Sequence, residues 1–133
     1  MSYANPLRTE SRSIVATGTS VVRYWKSPKL YDCTLADIVA DVTTAFVGTT
    51  TPAKIEVGTA TSANAYGTMY FGSAATPSPV SVALRMQDKL NGSAAVANHT
   101  IPANSQVKIT YTQGTGGTPA GVADVAVVFA VAG

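Results

Sequence analysis

The stretch Ser105–Gly133, SQVKITYTQGTGGTPAGVADVAVVFAVAG, constrains the fold more than any other part of the chain. Its first part alternates: Val107, Ile109 and Tyr111 fall on one side of an extended chain, and Gln106, Lys108, Thr110 and Thr112 on the other. Successive side chains of a strand point to opposite faces, so this pattern is a strand with one buried face. A glycine-rich turn, Gly114–Gly121, follows. Then comes Val122–Val131, apolar at both parities. Val125, Val127, Phe129 and Val131 supply one face; Ala126, Val128 and Ala130, beside Asp124, supply the other. The run carries a charge and is far short of the ~20 residues of a membrane span. Two explanations remain open. Either the strand is central in a sheet covered on both faces, or the face bearing Ala126, Val128 and Ala130 is where another subunit docks.

The rest of the chain repeats the same grammar. Ser20–Trp25 is rich in β-branched and aromatic residues and ends at Ser27-Pro28. Ala53–Val57 alternates without exception, with Ile55 and Val57 inward and Lys54 and Glu56 outward. Thr68–Phe71 is a short strand, and Val80, Val82, Leu84 and Met86 line one face of another. Pro77, Pro79 and the Asn91-Gly92 dipeptide mark turns, and Ser93–Asn104 reads as a loop. Thr34–Phe46 fits two templates. As a helix, Thr34 caps it and Leu35, Ile38, Val39, Val42 and Phe46 share a face. As a strand, Ile38, Ala40, Val42, Thr44 and Phe46 face inward while Asp37, Asp41 and Thr43 face water. The density of Val, Ile and Thr favours the strand. Short strands between Gly, Pro and Asn turns give an all-β, single-domain β-sandwich or jelly roll spanning residues 20–133. Residues 1–19, polar at their start, form an extended N-terminal arm, ordered only where it docks.

Only 12% of the 133 residues are charged, against about 25% in an ordinary soluble domain. Such a surface is expected to be covered in part by copies of the chain or by a partner. The charge is also uneven. Up to Tyr31 five basic residues (Arg8, Arg12, Arg23, Lys26, Lys29) face one acid, Glu10. The remainder is mildly acidic. An arm carrying Arg8 and Arg12 suits contact with an acidic protein surface. The net charge of +2 is too small to imply nucleic acid. No signal peptide is visible, so synthesis and assembly in a cytoplasm are expected.

Catalytic chemistry finds little support. One Cys and one His, Cys33 and His99, exclude an internal disulfide and a structural zinc site. Cys33 reads as a small buried hydrophobe and His99 as a loop residue. Asp37 and Asp41 read as an outward, solvated pair with no calcium loop around them. The loop Gly114–Gly121 lacks the Lys-Ser/Thr ending of a phosphate loop and precedes a strand. No catalytic residue, metal or cofactor is therefore expected. Tyr66, Tyr70 and Phe71 are the aromatics that could form a sugar platform, with core or interface packing as the competing reading.

Two segments carry a resemblance. Val42–Gly67, VTTAFVGTTTPAKIEVGTATSANAYG, has a strand ending in Ala45-Phe46, a Gly-Thr-Thr turn with a proline, an alternating strand closing on Val57-Gly58-Thr59, and Ala65-Tyr66 soon after. With the closing hairpin Ile101–Phe129, it resembles capsid decoration (cement) proteins of tailed bacteriophages, of the small β-sandwich or jelly-roll type. Where members often carry acids after Val-Gly-Thr, this chain has Ser62, Ala63 and Asn64. The resemblance implies a structural virion protein, not an enzyme, on the outer surface of the capsid. It implies a homodimer or homotrimer bound at junctions between major capsid protein subunits, with no nucleic-acid or membrane partner. A receptor- or carbohydrate-binding head-fibre or tail module is the alternative, with contacts from Trp25, Tyr66 or Tyr70.

Overall fold

The structure, a computed structural model, describes residues 8–72, 83–89, 94–96 and 100–131. Nine strands are present among them: β1 (Arg8–Ala16), β2 (Ser20–Lys26), β3 (Cys33–Val47), β4 (Ala53–Gly58), β5 (Gly67–Phe71), β6 (Ala83–Arg85), β7 (Ala94–Val96), β8 (Gln106–Thr112) and β9 (Ala120–Val131). They form a four-stranded sheet, β1-β9-β3-β6, and a five-stranded sheet, β2-β8-β4-β5-β7, both antiparallel. With β7 set aside, the first strand pairs with the last, the second with the next-to-last, and so inward to the β4–β5 hairpin. That nested pairing, folded over into two sheets, is the strand order of a jelly roll.

The core lies between the sheets. Ile38, Ala40, Val42, Val125, Val127 and Phe129 face it from one side; Ile55, Val57, Met69, Val107, Ile109 and Tyr111 face it from the other. Two aromatic stacks join the sheets near opposite ends of the β3–β9 pair. Trp25 lies 4.1 Å from Phe129 between ring centroids, and Phe46 lies 4.2 Å from Phe71. Offset stacks of this kind add about 0.5–1.5 kcal/mol beyond the area they bury. Gly121 makes room for the second stack. Its φ is +143°, and a Cβ there would sit 2.1 Å from the Phe46 ring.

Thr34–Phe46 lies wholly within the strand β3, the assignment its β-branched content favoured. The register against β9 shifts three times along β3, between Leu35 and Asp37, Val42 and Thr44, and Thr44 and Val47. The shift before Thr44 sets it opposite Val122 on the outer face, so it is exposed, not inward. Asp37 keeps its outward parity, opposite Val128, but is buried, not solvated, because Arg85 and the turn at Gln87 close over it.

The arm is extended, and from Arg8 onward it docks on its own domain. Arg8–Ala16 is β1, paired residue for residue with Val131–Ala123 of β9. The sandwich therefore begins at Arg8, not Ser20, and only residues 1–7 of the arm lie outside the described residues. The strand expected around Leu84 and Met86 is cut short: β6 ends at Arg85, and Met86–Lys89 is a 3-10 turn. Gln87 ties that turn to β3, its backbone N–H donating to Asp37 and its side-chain amide to the Ala36 carbonyl. The loop read at Ser93–Asn104 contains β7, whose three residues pair with β5. Pro77, Pro79, Val80, Val82, Asn91-Gly92 and His99 lie outside the described residues.

Candidate interaction surface

The outer face of the four-stranded sheet is where the greasy side of β9 emerges. β9 is central, flanked by β1 and β3, and its core-facing residues are buried. Its other parity is only half-buried, and among the described residues no element covers it. Ala130 lies between Thr9 and Thr34, Val128 between Ser11 and Asp37, and Ala126 between Ser13 and Val39. Along β1 and β9 the exposed side chains of these rows are small and uncharged, while on the β3–β6 side Arg85, opposite Val39, stands about half exposed beside Asp37. Charge returns at one end, where Asp124 stands directly opposite Asp41. Like charges paired across a ladder cost stability. Both line a shallow depression of about 250 Å³ with Ser13, Val15 and Val39. Among the described residues no three metal-ligating side chains converge.

Asp37, 5% exposed, anchors the β3–β6 side of this same face. Its Oδ2 accepts from Arg85 Nη2 at 2.8 Å and Nε at 3.1 Å. Its Oδ1 accepts from the backbone N–H of Ile38 at 2.9 Å and of Gln87 at 3.3 Å. A buried carboxylate is tolerated only when its lone pairs are used in this way. The arrangement is structural: it locks the β3 bulge to the 3-10 turn.

Arg8 and Arg12 do not project from the outer face. They share the parity of Ile14 and Ala16, which are buried, so they lie on the core side of β1 at the sandwich edge. Glu10 sits between them, 3.7 Å from Arg8 and 3.3 Å from Arg12. The Arg12 guanidinium lies 5.0 Å from the centroid of the Trp25 ring, a cation–π contact that closes the core at this edge. The side chains of both arginines remain about half exposed.

The other sheet presents a different outer face: Tyr24, Lys26, Lys54, Glu56, Lys108 and Tyr70, with Lys54 and Glu56 paired at 3.4 Å. The aromatics do not form a platform. Trp25 and Phe71 are buried in the stacks described above, Tyr66, just before β5, is buried as well, and Tyr70 alone of the four is half-exposed, opposite Lys54. Cys33 is buried, and burial, then the charges of Glu10 and Asp32, push its thiol up to about 11. A thiol kept protonated at neutral pH is a poor nucleophile.

Sequence alternation located Ala126, Val128 and Ala130 on one open face. It gave no sign of the Asp37–Arg85 pair, whose members lie 48 positions apart, nor of the inward turn of Arg8 and Arg12. Comparison with protein-family models, with curated proteins and with solved structures finds no match.

Proposed function

We propose that this chain is a structural virion protein that decorates and stabilises a tailed-phage capsid. It binds as a homodimer or homotrimer on the outer surface, at junctions between major capsid protein subunits, after assembly in the host cytoplasm. The reading is non-catalytic and needs neither nucleic acid nor membrane. The observation that carries it is the outer face of the four-stranded sheet, where the half-buried Ala126, Val128 and Ala130 run beside Thr9, Ser11 and Ser13, with charge confined to the Asp37–Arg85 pair on the β3–β6 side and to Asp41 and Asp124 at one end. A surface of this composition gains little from water and packs closely against another protein. The resemblance of Val42–Gly67 and Ile101–Phe129 to cement proteins points the same way. Arg8 and Arg12, about half exposed at the sheet edge, remain able to reach an acidic shell from there.

The test is a cryo-EM map of the particle that carries the protein. Density for the jelly roll outside the shell at symmetry-related capsid junctions is expected; density confined to a fibre or tail tip would favour the receptor-binding alternative. Ala130→Asp should abolish decoration with little loss of thermal stability, because Ala130 is half-buried on the open face between Thr9 and Thr34, with no carboxylate opposite it. Lys108→Asp, on the other sheet, should leave decoration intact. Full decoration by a folded Ala130→Asp would place the interface elsewhere.

A further inference from the structure

We propose that β1 is the seam along which a second copy of this chain joins, antiparallel and edge to edge, across a twofold axis at Ser11. This rests on the self-association contained in the proposed function and specifies its geometry. Among the described residues each sheet has two edge strands, and β6 and β7 offer three residues each. β2 has seven residues and carries Arg23 and Lys26 with no acid. Charges of one sign guard an edge, and a twofold pairing about the centre of β2 would set Arg23 against the partner's Arg23. β1 is unlike the others. It has nine residues, no proline, no lysine and no break in register against β9. Among the described residues nothing pairs with its outer edge.

The sequence of that edge is complementary to itself. About Ser11, antiparallel pairing sets Glu10 opposite the partner's Arg12 and Arg12 opposite the partner's Glu10. Thr9 falls opposite the partner's Ser13, and Ser11 opposite the partner's Ser11. Opposite charges and Thr–Ser pairs directly across a ladder are stabilising, and the twofold axis doubles each. Neighbouring registers are penalised. Pairing about Glu10 sets carboxylate on carboxylate and Arg8 against the partner's Arg12. Pairing about Arg12 sets guanidinium on guanidinium. In the single chain Glu10 holds only exposed, partly screened contacts with Arg8 and Arg12, which are cheap to exchange. The joined four-stranded sheets would form one continuous sheet, and the open Thr, Ser and Ala rows of the two copies would become one surface.

Sedimentation velocity of the full chain, with Cys substitutions on β1, tests this. Cα atoms directly opposed across an antiparallel pair lie about 4.5–5.5 Å apart, within reach of a disulfide. The native Cys33 is buried with its thiol held protonated and should stay silent. The native chain should sediment as a dimer or a larger assembly of dimers. Ser11→Cys should form a covalent dimer under mild oxidation. Thr9→Cys and Ser13→Cys should each cross-link poorly alone but readily when mixed. Glu10→Arg should weaken association by about tenfold or more, and adding Arg12→Glu to it should restore association. An oligomer in which Ser13→Cys links as readily as Ser11→Cys, or in which Glu10→Arg changes nothing, overturns the seam while leaving self-association standing. A chain that stays monomeric at every concentration overturns both.

Discussion

The five-stranded sheet keeps its register unbroken through β2, β8, β4, β5 and β7, whereas β3 and β9 of the four-stranded sheet slip past one another three times. The first sheet shows water an ordinary mixture of Lys, Glu, Thr and Tyr; the second shows mainly Ala, Val, Ser and Thr, with Arg85 over the buried Asp37 and two facing aspartates. Both sheets contribute large apolar side chains to one core, so hydrophobic burial does not explain the difference. Departures from local regularity tend to gather where a protein does more than fold. Here they gather on the sheet whose outer face is open and whose edge is self-complementary.

Substitutions that act on one sheet and have a counterpart on the other can break this contrast. Gly121→Val should be the most damaging, costing about 3 kcal/mol or more, because it adds a β-branched side chain at φ +143° against the Phe46 ring. Its counterpart, Thr110→Val, should be close to neutral in urea unfolding, since the Thr110 hydroxyl is buried with no hydrogen-bond partner among the described residues. Asp37→Ala comes next, at about 2 kcal/mol, because two backbone N–H groups lose their acceptor along with the Arg85 contact. Removing the exposed pair of the other sheet, Lys54→Ala, should cost less than about 1 kcal/mol.

Alkaline pH sharpens the comparison further. The Cys33 thiol ionises near 9 when unfolded and near 11 when folded. The folded state therefore holds the proton more tightly, and the stabilisation it confers is full below pH 9 and is lost as pH rises toward 11. Denaturation midpoints should fall by the equivalent of about 1 kcal/mol over the first pH unit above 9, and Cys33→Ala should flatten that slope. The smallest effect is expected at Tyr111→Phe. Burial raises its phenol, and the hydroxyl has no partner among the described residues, so its removal should leave the melting temperature unchanged or slightly higher.

The five-stranded sheet was legible almost residue by residue. Ile55, Val57, Val107, Ile109 and Tyr111 fell on the core side as their alternation required, because an unbroken ladder preserves the period of two. β7 is the exception, since Ala-Ala-Val carries no period to detect. The four-stranded sheet was legible only in β9. β1 read as an arm because only Ile14 and Ala16 of its nine residues are buried, the rest of its inner parity being Arg8, Glu10 and Arg12. Asp37 read as solvated because its outward parity gives no sign of Arg85 and Gln87, 48 and 50 positions away, that close over it. Of the candidate surface, Ala126, Val128 and Ala130 were placed correctly on one face. The contact of Arg12 with Trp25 was not legible, because nothing local announces that the ring lies beneath it.

The position of β9 also sets an order in time. It joins β1 to β3, yet it is made after every strand it connects. During synthesis β2, β4, β5 and β8 can find one another first, while β1 and β3 wait with their edges unpaired. A nascent chain broken off before Ala120 would hold neither the Trp25–Phe129 stack nor the Val128 face. Until β9 is made, β1 and β3 have no strand to join them, and closing the sheet is the slow, long-range step typical of such topologies.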